Sequence, residues 1–301
     1  MTFNGARFLL ILLATPVMLA GCATYDFVQP PPPQSQPIAV TFSSTGPSGW
    51  TDLPIGTYRI PNSAVIVSGQ QRGNGVMFGL LGVLLADSVG SAAGKHRVGS
   101  VQSALLVDLV PEASTLTQQA IASGRYGQAF AAAPVADSPT LEVDPYTVLT
   151  YSNDTDVRPA VILKATLKPG GTGAKPWTTR YMAFETKATP LTGDNSLTAN
   201  DGALLKSAIE RDLRRAVNAM LDDIATRRGR DKNNLIYLET ALPFVRERFA
   251  LTGAELSDED GALVFLPKIA DANVIAGVEI LDDSIPHRPA TADDKIKVLD
   301  K

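Results

Sequence analysis

Apolar and polar positions change period several times along this chain, and each change marks an element. Ile38 to Ser44 and Thr57 to Ser68 are rich in β-branched residues and broken by Gly46, Pro47, Pro54 and Pro61, which predicts short strands at the first edge of a sheet. Thr140 to Tyr151, Val157 to Leu167 and Trp177 to Ala188 are longer β-rich runs. Their connections, Ser152-Asn153-Asp154-Thr155-Asp156 and Lys168-Pro169-Gly170-Gly171-Thr172-Gly173, carry turn chemistry, so the three runs read as an antiparallel meander. From Asp201 to Arg227 the period lengthens to that of a helix. Leu204, Leu205, Ala208, Ile209, Leu213, Ala216, Val217, Met220, Leu221 and Ile224 make one continuous stripe, a face to be packed on the sheet. Asn200 or Asp201 can cap its start, Glu210 and Arg214 sit one turn apart, and Arg227, Arg228 and Gly229 suit its end.

Residues 98–130 hold shorter apolar stretches that predict one or two helices separated at Pro111. Beyond the long helix, Leu235 to Glu239, Arg248 to Leu256, Ala262 to Leu266 and Asn273 to Leu281 predict strands of a smaller β-rich unit. Asp258-Glu259-Asp260-Gly261 falls between two of these runs and reads as a hairpin turn. It lacks the alternating ligands and terminal glutamate of an EF-hand calcium loop. The expected fold class is therefore α+β: a mostly antiparallel sheet, a long amphipathic helix, a glycine-rich apolar helix described below, and a smaller C-terminal β-rich unit.

The N-terminus follows a different pattern. Arg7 gives a weakly basic start, and Phe8 to Ala20 is an apolar run too short to span a bilayer comfortably. It ends in Leu19-Ala20-Gly21-Cys22, which resembles the lipobox of bacterial lipoproteins. That resemblance implies cleavage between Gly21 and Cys22, with Leu19, Ala20 and Gly21 as the recognition residues and Cys22 as the lipidated nucleophile. It also implies a protein attached to the membrane without spanning it. Ala23 is not the aspartate that resembles an inner-membrane retention signal, so the resemblance points to the outer membrane of a Gram-negative host, with the body facing the periplasm. Three acyl chains anchor far more firmly than one. Ala23 to Pro37 has five prolines and no apolar period. It reads as a free extended tether that could hold the body up to ~45 Å from the bilayer at ~3.1 Å per residue. The expected organisation is a signal peptide over 1–21, lipidated cysteine and tether over 22–37, an α+β domain over 38–229, a small β-rich domain over 230–287 and a frayed polar tail over 288–301.

Composition narrows the function classes. Of 301 residues, 45% are hydrophobic and 19% charged, enough to bury a sizeable core. With 27 basic and 31 acidic residues the net charge is −4, which gives no argument for a nucleic-acid partner. Two histidines and one cysteine exclude multi-Cys/His zinc sites, iron–sulfur clusters and disulfide scaffolds. No cofactor or metal is expected.

Several motifs tempt. Ala64 to Gly75, a β run followed by G-x-x-x-G-x-G, is similar to the cofactor turn of short-chain dehydrogenases, but the chain has no Tyr-x-x-x-Lys and no repeated βαβ pattern. Gly90-Ser91-Ala92-Ala93-Gly94-Lys95-His96 has one residue too few for a P-loop and histidine where Ser or Thr is needed. G-x-S-x-G, Ser-x-x-Lys and H-E-x-x-H are absent, leaving His96 and His287 as the available imidazoles. The pairs Asp222/Asp223 and Asp282/Asp283 are adjacent, which does not bring two carboxylates onto one helical face.

Gly75 to Gly94 is the segment that invites a functional reading. Gly75, Gly79, Gly82, Ala86, Gly90 and Gly94 would line one smooth face of a helix, and the pattern looks like the glycine-zipper segments of some envelope lipoproteins. The face is a candidate helix-contact groove, inside one protomer, between copies in a homo-oligomer, or against a membrane. In layout the body resembles uncharacterised proteobacterial envelope lipoproteins and, distantly, the α+β body of the curli-secretion lipoprotein. The first expectation is a non-enzymatic binding or assembly component that meets other envelope proteins. The alternatives are an enzyme acting on peptidoglycan or another periplasmic substrate, marked by a pocket joining a perturbed carboxylate to His96 or His287, and an oligomeric secretion or channel subunit.

Overall fold

The structure, a computed structural model, describes residues 26–48, 52–54, 56–69, 87–133, 135, 137–171, 175–259, 261–269 and 273–299. In chain order the elements are β1 (Ile38–Phe42), β2 (Tyr58–Arg59), β3 (Val65–Ser68), α1 (Asp87–Val98), α2 (Val110–Ala122), β4 (Phe130–Ala131), β5 (Thr140–Tyr151), β6 (Asp156–Lys168), β7 (Trp177–Phe184), β8 (Thr189–Pro190) and α3 (Ala199–Thr226). They continue as β9 (Leu235–Ala241), β10 (Arg248–Glu259), β11 (Ala262–Pro267), β12 (Val278–Asp282), β13 (His287–Pro289) and β14 (Lys297–Val298). All fourteen strands belong to one sheet, mostly antiparallel, so the architecture is mixed α and β.

The meander β5–β6–β7 is the frame. Asn153 Oδ1 accepts from the backbone N–H of Thr155 (2.8 Å) and Asp156 (2.7 Å), and this turn sets Tyr151 opposite Val157. The other side of β5 is shared in parallel by β1 at residues 140–143 and β3 at residues 147–150. β4 pairs outside β1 and β2 outside β3, so of the first strands β1 and β3 stand one place in while the short β2 lies at an edge.

Side chains of the meander alternate between two cores. Leu141, Val143, Val161, Leu163, Tyr181 and Ala183 meet the buried stripe of α3, including Leu205, Ile209, Leu213, Val217 and Met220. Tyr181 also donates a hydrogen bond to Asp223 Oδ2 at 2.8 Å, fixing the helix on β7. Tyr146, Val148, Ile162, Met182 and Phe184 form the opposite face with Leu238, Phe249, Leu251, Phe265 and Leu281 of the C-terminal strands. The β9–β10 loop latches this second core: Phe244, at φ +70°, donates its N–H to Thr150 Oγ1 (2.9 Å) and accepts from Ser68 Oγ (3.0 Å).

Several expectations are corrected at the ends of elements. Pro111 falls in the first turn of α2, where a residue needs no N–H partner, and a short 3₁₀ helix over Gln102–Leu105 precedes it. Asn200 and Asp201 do not cap α3. With Gly202 they take φ of +50°, +56° and +73°, and the regular helix follows them. Leu204 points outward at 50% exposure, off the buried stripe. The strands over 235–282 are hydrogen-bonded into the same sheet as the meander, because β12 pairs in parallel with β7, Val278 opposite Tyr181. Gly277 permits this splice, since a Cβ there would strike the Arg180 carbonyl. The tail is also held. β13 pairs with β9, β14 pairs with β10, and Arg288 binds Asp294 at 2.7 Å while stacking on the Tyr237 ring at 4.2 Å.

The largest departure concerns the tether. Its described part does not extend freely but lies along the body, with Phe27 and Pro31 buried. Trp177 Nε1 donates to the Gln29 carbonyl at 3.0 Å, Arg227 Nε to the Pro31 carbonyl at 3.1 Å, and Lys232 pairs with Asp26 at 2.9 Å. An extended proline-rich backbone leaves its carbonyls unpaired, and side chains of β7 and of the end of α3 take two of them.

Candidate functional site

The register of the meander assembles a charged row that no local motif announces. Asp144 on β5 stands opposite Lys164 on β6, which stands opposite Arg180 on β7, all on the face of the second core. Asp52 reaches over the row from the segment between β1 and β2 and is 4% exposed. Its two oxygens accept from Lys164 Nζ at 2.5 Å and Arg180 Nη2 at 2.9 Å. Asp144 is half-buried, and burial raises its carboxyl above the usual range, against the pull of the Gly46 N–H, Lys164 and Arg59; Asp52 adds a small push upward. One residue pair along β5, burial raises the Tyr146 phenol, against the nearby Arg180 charge.

A cleft of about 460 Å³ opens beside this row, with Tyr146 in its wall. Its other walls include Arg59, Ile60, Asn62, Ser63 and Val107. Ser63 builds the corner: its Oγ donates to the Leu105 carbonyl at 2.7 Å and accepts from the N–H groups of Val65 and Val107, both at 3.1 Å. Asn62 makes the turn at φ +58°. Gly46, at φ +69°, donates its N–H to Asp144 Oδ1 at 3.0 Å, and a side chain there would collide with the Arg59 guanidinium. The cleft thus joins an apolar wall to an exposed arginine at its rim, with a carboxyl of raised pKa behind it. Such a surface can hold a molecule by apolar contact and orient it by charge.

Leu19, Ala20, Gly21 and Cys22 lie outside the described residues, as do Gly75, Gly79, Gly82 and Ala86. Gly90 and Gly94 lie on α1, and Gly94 is buried. The P-loop-like stretch from Gly90 to His96 is entirely helical, with no loop to cradle a phosphate. Neither His96 nor His287 lines the cleft, so the described residues do not join an imidazole to Asp144 there. The adjacent aspartates serve structure: Asp222 pairs with Arg228 at 2.8 Å, Asp223 with Arg230 at 2.7 Å, and Asp282 accepts from Ser284. Glu259 at the end of β10 pairs with Ala262 at the start of β11, and Asp260 between them lies outside the described residues. Among the described residues no group of three metal-ligating side chains occurs, and no helix is long and apolar enough to cross a membrane.

Asp52, Asp144, Lys164, Arg180 and Tyr146 were not apparent from the sequence as a site. The available signal was a charge inside each of three β-rich runs, brought level by counting outward from the two turns. No family model, no curated protein and no solved structure matches this chain.

Proposed function

We propose that this protein is a lipid-anchored component of the periplasmic face of the outer membrane, and that its body binds another envelope component instead of catalysing a reaction. The observation that carries the binding half is the cleft of about 460 Å³, a size within the range of about 300–1,000 Å³ that ligand sites occupy. Leu19-Ala20-Gly21-Cys22 supports the anchor. The glycine-rich run is read as an apolar helix that ends in α1, and the burial of Gly94 favours its packing within one protomer over a groove between copies.

Two measurements test the reading. Cys22→Ser should abolish palmitate labelling and leave unprocessed precursor, and normal lipidation of that variant would end the anchor assignment. A photo-crosslinking residue at Asn62, in the cleft wall, should give a discrete adduct in intact membranes, while one at exposed Asn153 should not. Equal adducts, or none from Asn62, would remove the cleft as the binding site. Release of soluble fragments from peptidoglycan by the wild-type chain, lost in Asp144→Asn, would support the enzymatic alternative.

A further inference from the structure

The docked tether has a consequence for how the body meets the membrane. Between Cys22 and the first docked residue, Asp26, there are four Cα-to-Cα steps, which span at most about 14 Å. A spacer free as far as Pro37 would reach ~45 Å. A headgroup layer takes about 5–8 Å on each side of the hydrocarbon core, so a lipidated Cys22 leaves Asp26 within roughly 10 Å of the headgroups. Docking does not hang on one contact. Phe27 and Pro31 are buried, and three elements or loops hold the stretch: Trp177 on β7, Arg227 at the end of α3, and Lys232 before β9.

We infer that the body rests directly on the bilayer, with the face around Asp26, Lys232 and Trp177 against the phospholipid headgroups. This rests on the lipid anchor proposed above. The chemistry of the face agrees with it. Lys232 is exposed and pairs with Asp26 at 2.9 Å, and the more distant Lys268 charge also favours the ionised form of that carboxylate, giving two cations to one acid where the chain leaves for the membrane. Anionic headgroup phosphates complement that surplus. The partly exposed Trp177 indole, bonded to the Gln29 carbonyl three residues along the docked stretch, is a ring of the kind enriched at membrane interfaces.

The chain contains two tryptophans, so replacing Trp50 by Phe leaves Trp177 as the single indole reporter. The full lipidated protein would be placed in vesicles of phosphatidylethanolamine and phosphatidylglycerol carrying dansyl-labelled headgroups, and energy transfer from Trp177 measured. A second protein carries about ten Gly/Ser residues inserted after Tyr25, adding roughly 17 Å of root-mean-square reach without touching the body. The docked leash predicts strong transfer in the first and loss of most of it in the second. Weak transfer in both would overturn the inference, and strong transfer in both would overturn the leash as its cause. Palmitate labelling of the same preparations separates these results from failure of the anchor itself, in which case label and transfer vanish together.

Discussion

Glu279 tests the second core most sharply. It stands on β12 opposite Phe265 of β11 and Met182 of β7, is 0% exposed, and neither carboxyl oxygen has a hydrogen-bond partner among the described residues. Burial therefore pushes its pKa well above the usual 4.5. The unfolded chain ionises this carboxyl near its usual pKa while the native chain keeps the proton, so the native state binds more protons and stability must fall as pH rises. The slope is about 1.4 kcal/mol per pH unit until the native carboxyl also ionises. A rise from pH 5 to pH 7 would cost up to about 2.7 kcal/mol, a large share of a typical stability of about 5–15 kcal/mol. Asp212 contributes a slope of the same sign, because burial raises it to about 6 against its Arg211 partner, but that contribution is spent once the pH passes its native pKa. Urea midpoints should therefore be compared between pH 6.5 and 8.5 for wild type and Glu279→Gln. The wild-type chain should lose stability across the window while the variant stays flatter, and Glu279→Leu should be the most stable of the three at the alkaline end. Parallel curves for wild type and Glu279→Gln would refute the reasoning and show that the carboxyl is already ionised or partnered.

Two further substitutions probe the frame and the site. Leu213 is 0% exposed beneath α3, so Leu213→Asp should cost several kcal/mol and unfold the chain, and thermal melts equal to wild type would show that this face is not packed. Arg180→Met leaves Asp52 with Lys164 as its remaining charge partner of that pair and should destabilise by about 3 kcal/mol, with much of the loss recovered in the double variant Asp52→Asn/Arg180→Met; a double-mutant cycle with no coupling would show that the two do not act together.

How much of this was legible depends on whether the deciding interaction is local. β5 occupies the run from Thr140 to Tyr151 because alternation over that length, closed by an asparagine turn, leaves few competing conformations. The buried stripe of α3 was readable for the same reason. Its start was not, because Asn200-Asp201-Gly202 suits both a cap and a left-handed turn, and the choice is made by Gly202 approaching the Ala104 carbonyl from another part of the chain. The held tail escaped notice because one exposed ion pair and one stacked guanidinium leave no apolar period to read.

The tether and the charged row were hidden for a deeper reason. A proline-rich stretch has the same composition whether it hangs free or lies in a groove, and the distinguishing residue, Phe27, counts only once the folded core offers it a place to be buried. Likewise Asp144, Lys164 and Arg180 are unremarkable charges taken singly. A strand alternates its side chains strictly, so two correctly placed turns put all three on one face, and a slip of one residue in either pairing would send one of them into the helix-side core among Leu141, Val161 and Leu163. The row is thus a consequence of register, and register is costly to break here because both faces of the meander are buried. The same condition gives the cleft a rigid wall: Pro145 and Tyr146 are held by twelve residues of β5 paired along its length with β6, while the opposite wall rests on Ser63 and the short strand β3. Any adjustment of the cleft to a bound molecule should therefore come from the side that carries Arg59 and Asn62.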